Sequence, residues 1–186
     1  MSAESKKTEM NAAKTLVVDL LFLDEETCVP CGGTAKTLAE AANILKEPLH
    51  SLGVTLEIRK IHVVDADMAI AEKFLSSPTI RVAGVDIDPA RTEEDCPSCG
   101  SLAGDAVSVT CRNWHWRDEV FQAAPLGKIV ESILSEARRL AAKDNDCCES
   151  SCCGGADDTG AAKVYVMPDN LVSFFKARAS HEKLGC

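Results

Sequence analysis

The sequence predicts an α/β fold, a mixed sheet flanked by helices, on three observations. Short β-branched apolar runs alternate with stretches of helical period in the order β-α-β-α-β-β. A Cys-x-x-Cys lies between the first run and the first helix, and a Ser-Pro step directly precedes the third run. A strongly amphipathic stretch after Pro125 then closes the pattern.

The elements follow in order. Leu16 to Leu23 is a buried strand interrupted once, at Asp19. From about Thr34, residues Ala35, Leu38, Ala39, Ala42 and Leu45 share a helix face, and Pro48 and Gly53 mark its end. Val54 to Val64 alternates as a strand. Asp65 caps a short helix carrying Met68, Ala71, Phe74 and Leu75, which Ser76-Ser77-Pro78 breaks. Thr79–Val82 and Val85–Ile87 are strands joined by a turn at Ala83-Gly84. Residues 88–124 are read as an insert, with Val107 to Trp116 and Glu119 to Gln122 as a hairpin and Glu93-Glu94-Asp95 as a solvated loop. Leu126, Ile129, Val130, Ile133, Leu134, Ala137 and Leu140 form one helical stripe. This gives a domain over 15–142 after a flexible N-terminus, 1–14. A flexible cysteine-rich tether, 143–162, and a C-terminal extension of strand and helix, 163–186, follow it. The layout matches the thioredoxin-like fold, in which a cis-proline faces the Cys-x-x-Cys; Pro78 takes that place here.

Composition narrows the function. The chain has 186 residues, 46% of them apolar and 26% charged, enough for one cored domain with appendages. A net charge of −9 argues against nucleic acid, whose binding needs a dense Lys/Arg surface. No run of about 18 apolar residues is present and the start has no signal-like apolar segment, so a cytoplasmic protein with no membrane partner is expected. Ten cysteines are the outstanding feature. In a reducing compartment such thiols point to metal or redox chemistry rather than structural disulfides.

The cysteines fall in groups. In Cys28-Val29-Pro30-Cys31 two thiols one helical turn apart can reach disulfide geometry. The first sits at a helix N-terminus, where the dipole and unpaired N–H groups stabilise a thiolate. Cys28 is therefore expected to be the more exposed and more acidic thiol, attacking in exchange, with Cys31 resolving. The alternative is a structural zinc half-site or two buried thiols. Cys96, Cys99 and Cys111 are expected in one cluster, as one disulfide plus a free thiol or as a three-sulfur metal site whose fourth ligand is His115 or a water. His115, between Trp114 and Trp116, reads better as an ordinary strand residue.

The combination of Glu26-Thr27-Cys28 with Cys31, Ser77, Thr79, Ile80, Gly84 and Ile87, then Cys96, Cys99, Gly104, Cys111 and Arg112, resembles a small cysteine-rich, thioredoxin-like family classed as a domain of unknown function. The resemblance covers roughly residues 15–142. It implies a thioredoxin-like fold and cysteine chemistry and carries no established reaction. Thr27 stands where thioredoxins have an aromatic residue.

Cys147-Cys148 and Cys152-Cys153 place soft donors in vicinal pairs on a chain too polar to build a core. They look like the vicinal-cysteine tails of arsenic-handling proteins. Two main functions are expected. One is thiol–disulfide oxidoreductase chemistry through Cys28 and Cys31 with a thiol or disulfide protein partner. The other is binding or detoxification of a soft metal or metalloid (arsenic, mercury, copper or zinc) by Cys96, Cys99, Cys111 and the tail pairs. A zinc-stapled scaffold is a third.

Overall fold

A computed structural model describes residues 14–104, 107–142 and 164–184. The tether expected at 143–162, with Cys147, Cys148, Cys152 and Cys153, lies outside them, as does most of the expected flexible N-terminus; Lys14 already belongs to a strand.

β1 (Lys14–Phe22) is the middle of the chain's main sheet. It pairs in parallel with β2 (Val54–His62) and antiparallel with β3 (Thr79–Val82), which pairs antiparallel with β4 (Val85–Asp86). The resulting order, β2-β1-β3-β4, is a mixed sheet of four strands. The parallel β1–β2 pair needs a crossover, and α1 (Val29–Ser51) supplies it. Leu16, Val18, Leu20 and Phe22 share one face of β1 and are buried, as is Leu21 on the other face, and α4 packs against the strand. Its one acidic residue, Asp19, is matched by a two-toothed ion pair from Arg59 of β2, at 2.6 and 2.9 Å.

α1 starts five residues earlier than the sequence pattern suggests, with Cys28 as its N-cap, and it runs through Pro48. Its buried stripe is Cys31, Thr34, Ala35, Leu38, Ala41, Leu45 and Leu49, so Ala41 rather than Ala39 or Ala42 faces the core. The Gly32-Gly33 step that obscured the start is a packing requirement. A Cβ on Gly32 would come within 2.6 Å of the Glu25 carbonyl oxygen, and one on Gly33 within 2.9 Å of Ala123 Cβ.

α2 (Ala66–Ala71) is capped as expected, Asp65 accepting from the Met68 N–H at 2.8 Å, but it stops before Phe74 and Leu75. The insert forms a second antiparallel sheet, β5-β6-β7, from Thr92–Asp95, Thr110–Trp116 and Glu119–Phe121, with a short helix α3 (Pro97–Leu102) between the first two strands. β5 replaces the solvated loop expected at Glu93–Asp95. All four of its side chains are exposed, and polar cross-links hold it: Thr110 to Glu93 at 2.6 Å and Ser108 to Asp95 at 2.8 Å.

α4 (Leu126–Ala142) lies against α1 and β1 with Ile129, Ile133 and Ala137 fully buried. The C-terminal extension has no strand among the described residues. Its helix α5 (Asp169–Leu184) buries Leu171, Phe174 and Phe175 and contacts α2, while Asn170 bonds both Glu93 and Thr110 at 2.8 Å. The extension therefore fastens the insert to the body of the domain.

Candidate metal centre

The two Cys-x-x-Cys motifs adopt the same local form. Cys28 caps α1 and Cys96 caps α3, each with an extended backbone, and a proline in the first turn fits where no N–H partner is needed. The Gly32 N–H bonds the Cys28 carbonyl at 2.9 Å and the Gly100 N–H bonds the Cys96 carbonyl at 3.0 Å, which closes each first turn. Ahead of α1, the Asp24 carboxylate accepts from the Glu26 and Thr27 N–H groups and fixes the loop from β1.

Cys111 comes from β6. The Cys96 N–H bonds the Val109 carbonyl at 2.7 Å, and the Arg112 N–H bonds the Ser77 carbonyl at 2.7 Å. The first contact ties the start of α3 to the segment leading into β6, and the second ties β6 to the Ser-Pro loop. The expected cluster of Cys96, Cys99 and Cys111 forms, and Cys28 joins it. The four sulfurs lie within 4.8 Å of one another and all four residues are buried. Cys111 is the hub, 3.3 Å from Cys99 Sγ and 3.6 Å from Cys28 Sγ, and Cys28 is 3.9 Å from Cys96. None of these is a disulfide. With a zinc–sulfur bond of about 2.3 Å, the edge of a sulfur tetrahedron is about 3.8 Å, so the spacing fits four thiolates around one ion.

The Ser77–Pro78 peptide is cis, as the resemblance implied. The group that meets the first motif there is the Ser77 hydroxyl, 3.2 Å from Cys31 Sγ, which also accepts from the Leu23 N–H at 3.1 Å. Cys31 stands outside the set of four.

The expectation of an exposed, acidic Cys28 is corrected in both respects. Cys28 is 1% exposed and Cys31 0%. Cys111 favours a Cys28 thiolate, but Cys31, Cys96, Cys99 and burial outweigh it and raise the Cys28 pKa. Cys31 is the acidified member of its pair, lowered to about 4 by hydrogen bonds from Cys111 and Cys28, then Ser77 and the Asp24 backbone, against its burial. The helix dipole is overridden because the insert covers the end of α1 and surrounds Cys28 with sulfur.

A cavity of about 250 Å³ opens beside the cluster, lined in part by Val29, Pro30, Glu94, Asp95, Cys96 and Cys111. Its two carboxylates favour the approach of a cation.

His115 is not near enough to serve as a ligand in this cluster; its Nε2 is 2.9 Å from Thr92 Oγ1 and its Nδ1 3.4 Å from Asp88. What sequence reasoning missed is the support behind Cys111. Successive strand residues face opposite ways, so Arg112 points away from the thiols. It is 0% exposed, pairs twice with Asp86 at 2.9 and 3.0 Å, bonds Thr79 Oγ1 and the Asp88 carbonyl, and lies over the Trp114 ring. Buried Asp88 accepts from the His115 N–H at 2.7 Å and lies 3.4 Å from Lys128 Nζ.

That network gives a pH dependence. Burial raises the Asp88 pKa, but the His115 N–H and the charges of Lys128, Arg112 and His115 outweigh it and hold the carboxyl below its ordinary value. A depressed folded pKa contributes stability above the unfolded value of about 3.9 and loses it as pH falls through the folded one. Melting temperature should fall below about pH 4, and less steeply in Asp88→Asn, which has no carboxylate to protonate.

The fold and site together define a mixed α/β protein whose second sheet closes a cluster of four buried thiols over the start of α1. The chain belongs to the family described as Domain of unknown function (DUF2703), whose model matches residues 16–133. Neither the curated proteins nor the solved structures contain a match to it. No helix among the described residues is long and apolar enough to cross a membrane.

Proposed function

We propose that this protein binds a soft, thiophilic ion in the centre formed by Cys28, Cys96, Cys99 and Cys111, and that its role is soft-metal or metalloid handling in a reducing, cytoplasmic setting. The observation that carries this reading is the convergence of four buried sulfurs from three separate elements at tetrahedral spacing. Thiolate donors select zinc, copper(I) and other soft ions over hard ones. Four sulfurs suit zinc, and three of them suffice for a pyramidal trivalent arsenic. The tail cysteines Cys147, Cys148, Cys152 and Cys153 are proposed as a second set of donors for the same class of ion. The test is metal stoichiometry on protein purified without oxygen. A chain with those four tail cysteines replaced by serine should still bind one zinc or arsenite, and a further Cys99→Ser should weaken zinc binding about 100-fold. Absence of any tight soft-ion binding in the tail-replaced chain overturns the reading.

A second reading, thiol–disulfide exchange by Cys28 and Cys31 with a protein partner, is favoured by the placement of the pair at the start of α1 beside the cis Ser77–Pro78 step. The burial of both thiols weighs against a protein disulfide reaching them. A reversible Cys28–Cys31 couple in redox titration of the ion-free protein would support it.

A further inference from the structure

Cys28 belongs to two sets at once. It is a corner of the four-sulfur centre and the first thiol of the Cys-x-x-Cys with Cys31. These uses exclude each other, since a sulfur in a disulfide has no thiolate to give an ion. Cys31 is the one described cysteine outside the four. With an ion in place the other thiols are engaged, while Cys31 stays available, one helical turn from Cys28 and held by Ser77.

We propose that the Cys28–Cys31 pair is a peroxide-sensitive release switch for the ion, an inference that rests on the soft-ion reading of the same centre. The oxidant class is a hydroperoxide, whose small, uncharged form suits thiols with almost no exposed surface; a bulky disulfide oxidant does not. The Cys28 thiolate attacks the terminal peroxide oxygen. The O–O bond breaks, leaving a Cys28 sulfenic acid and a hydroxide that takes a proton to become water. The Cys31 thiolate then attacks the Cys28 sulfur, forming the S–S bond and breaking the S–O bond, and the departing hydroxide takes a second proton. Two thiolates, one hydrogen peroxide and two protons thus give one disulfide and two waters. The ion is left with Cys96, Cys99 and Cys111, and a tetrahedral ion that loses one of four sulfurs is held about 100-fold less tightly.

The experiment uses the full chain with Cys147, Cys148, Cys152, Cys153 and Cys186 replaced by serine, loaded with zinc and exposed to hydrogen peroxide beside a coloured zinc chelator. One zinc per chain should be released and should rebind after thiol reduction, whereas the same chain carrying Cys31→Ser, which should load zinc equally well, has no resolving thiol, so its Cys28 sulfenic acid passes on to sulfinic acid and at least about tenfold less zinc binding returns. Peptide mass spectrometry of the released, unmutated-pair protein should find the Cys28–Cys31 disulfide, and thiol reduction should restore binding. Equal recovery of zinc binding in the two chains, or oxidation confined to Cys96–Cys99, overturns the switch while leaving the soft-ion reading standing. If Cys31→Ser fails to fold, the position of the disulfide in its parent decides alone. Failure of the parent to load zinc at the outset removes the soft-ion reading and the switch with it.

Discussion

Replacing Cys111 with serine is expected to weaken zinc binding by about 100-fold or more, the largest effect of any single change at the centre. Cys111 touches both Cys28 and Cys99, so its loss removes the sulfur that joins the α1 thiol to the insert thiols. A hydroxyl is shorter and a harder donor, and a soft ion gains little from it. The loss should also appear as stability. At a fixed excess of zinc, a 100-fold weaker site forfeits about 2.7 kcal/mol of ligand-linked stabilisation. Thermal melts with and without zinc check this: the parent should show a large zinc-dependent rise and Cys111→Ser a clearly smaller one. An undiminished rise in the variant would place the ion elsewhere.

Asp86→Ala is expected to be the most damaging change outside the thiols, costing about 3 kcal/mol of folding stability even though Asp86 itself is partly exposed. The reason is the partner. Arg112 is fully buried, and without Asp86 its guanidinium loses its paired carboxylate and keeps hydrogen bonds to Thr79 and the Asp88 carbonyl, the Trp114 ring and the charge of Asp88, which is shared with Lys128. For a chain of this length the change should lower the melting temperature by roughly 10 °C. It should also weaken ion binding, because Arg112 follows Cys111 directly and its N–H anchors β6 to Ser77. Urea denaturation and zinc titration of the variant measure both effects. A neutral outcome would mean that the pair is not holding β6 in place.

The element order was legible in the sequence because each piece has its own local signal. β1 is a β-branched run, α4 an apolar stripe, and α2 begins at a capping Asp65. The cluster of Cys96, Cys99 and Cys111 was legible too, since the hairpin brings neighbours in sequence together. The fourth sulfur was not. Cys28 lies 68 residues before Cys96, and what unites them is one backbone bond from Arg112 to Ser77 and the packing of the insert over α1. No periodicity records such a contact. β5 was missed because Thr92-Glu93-Glu94-Asp95 has no apolar face; it pairs antiparallel with β6 through the backbone, and side-chain bonds from Thr110 and Asn170 to Glu93 reinforce the pairing. The start of α1 was missed because Gly32-Gly33 reads as a helix breaker, whereas both positions answer close approach of the Glu25 carbonyl and Ala123.

The acidity of Cys28 was misjudged for a related reason. A helix N-terminus lowers the pKa of an isolated thiol, but a thiol among three others competes with them for the same protons. Only the tertiary structure shows that the insert supplies that competition.

A four-sulfur soft-ion centre built from Cys28, Cys96, Cys99 and Cys111 can be read out by X-ray absorption at the zinc edge. The sample is the zinc-loaded full chain with its four tail cysteines replaced by serine. A single shell of four sulfurs at about 2.3 Å is expected, falling to three or fewer in Cys111→Ser. A shell dominated by nitrogen or oxygen, or four sulfurs unchanged in Cys111→Ser, would contradict it.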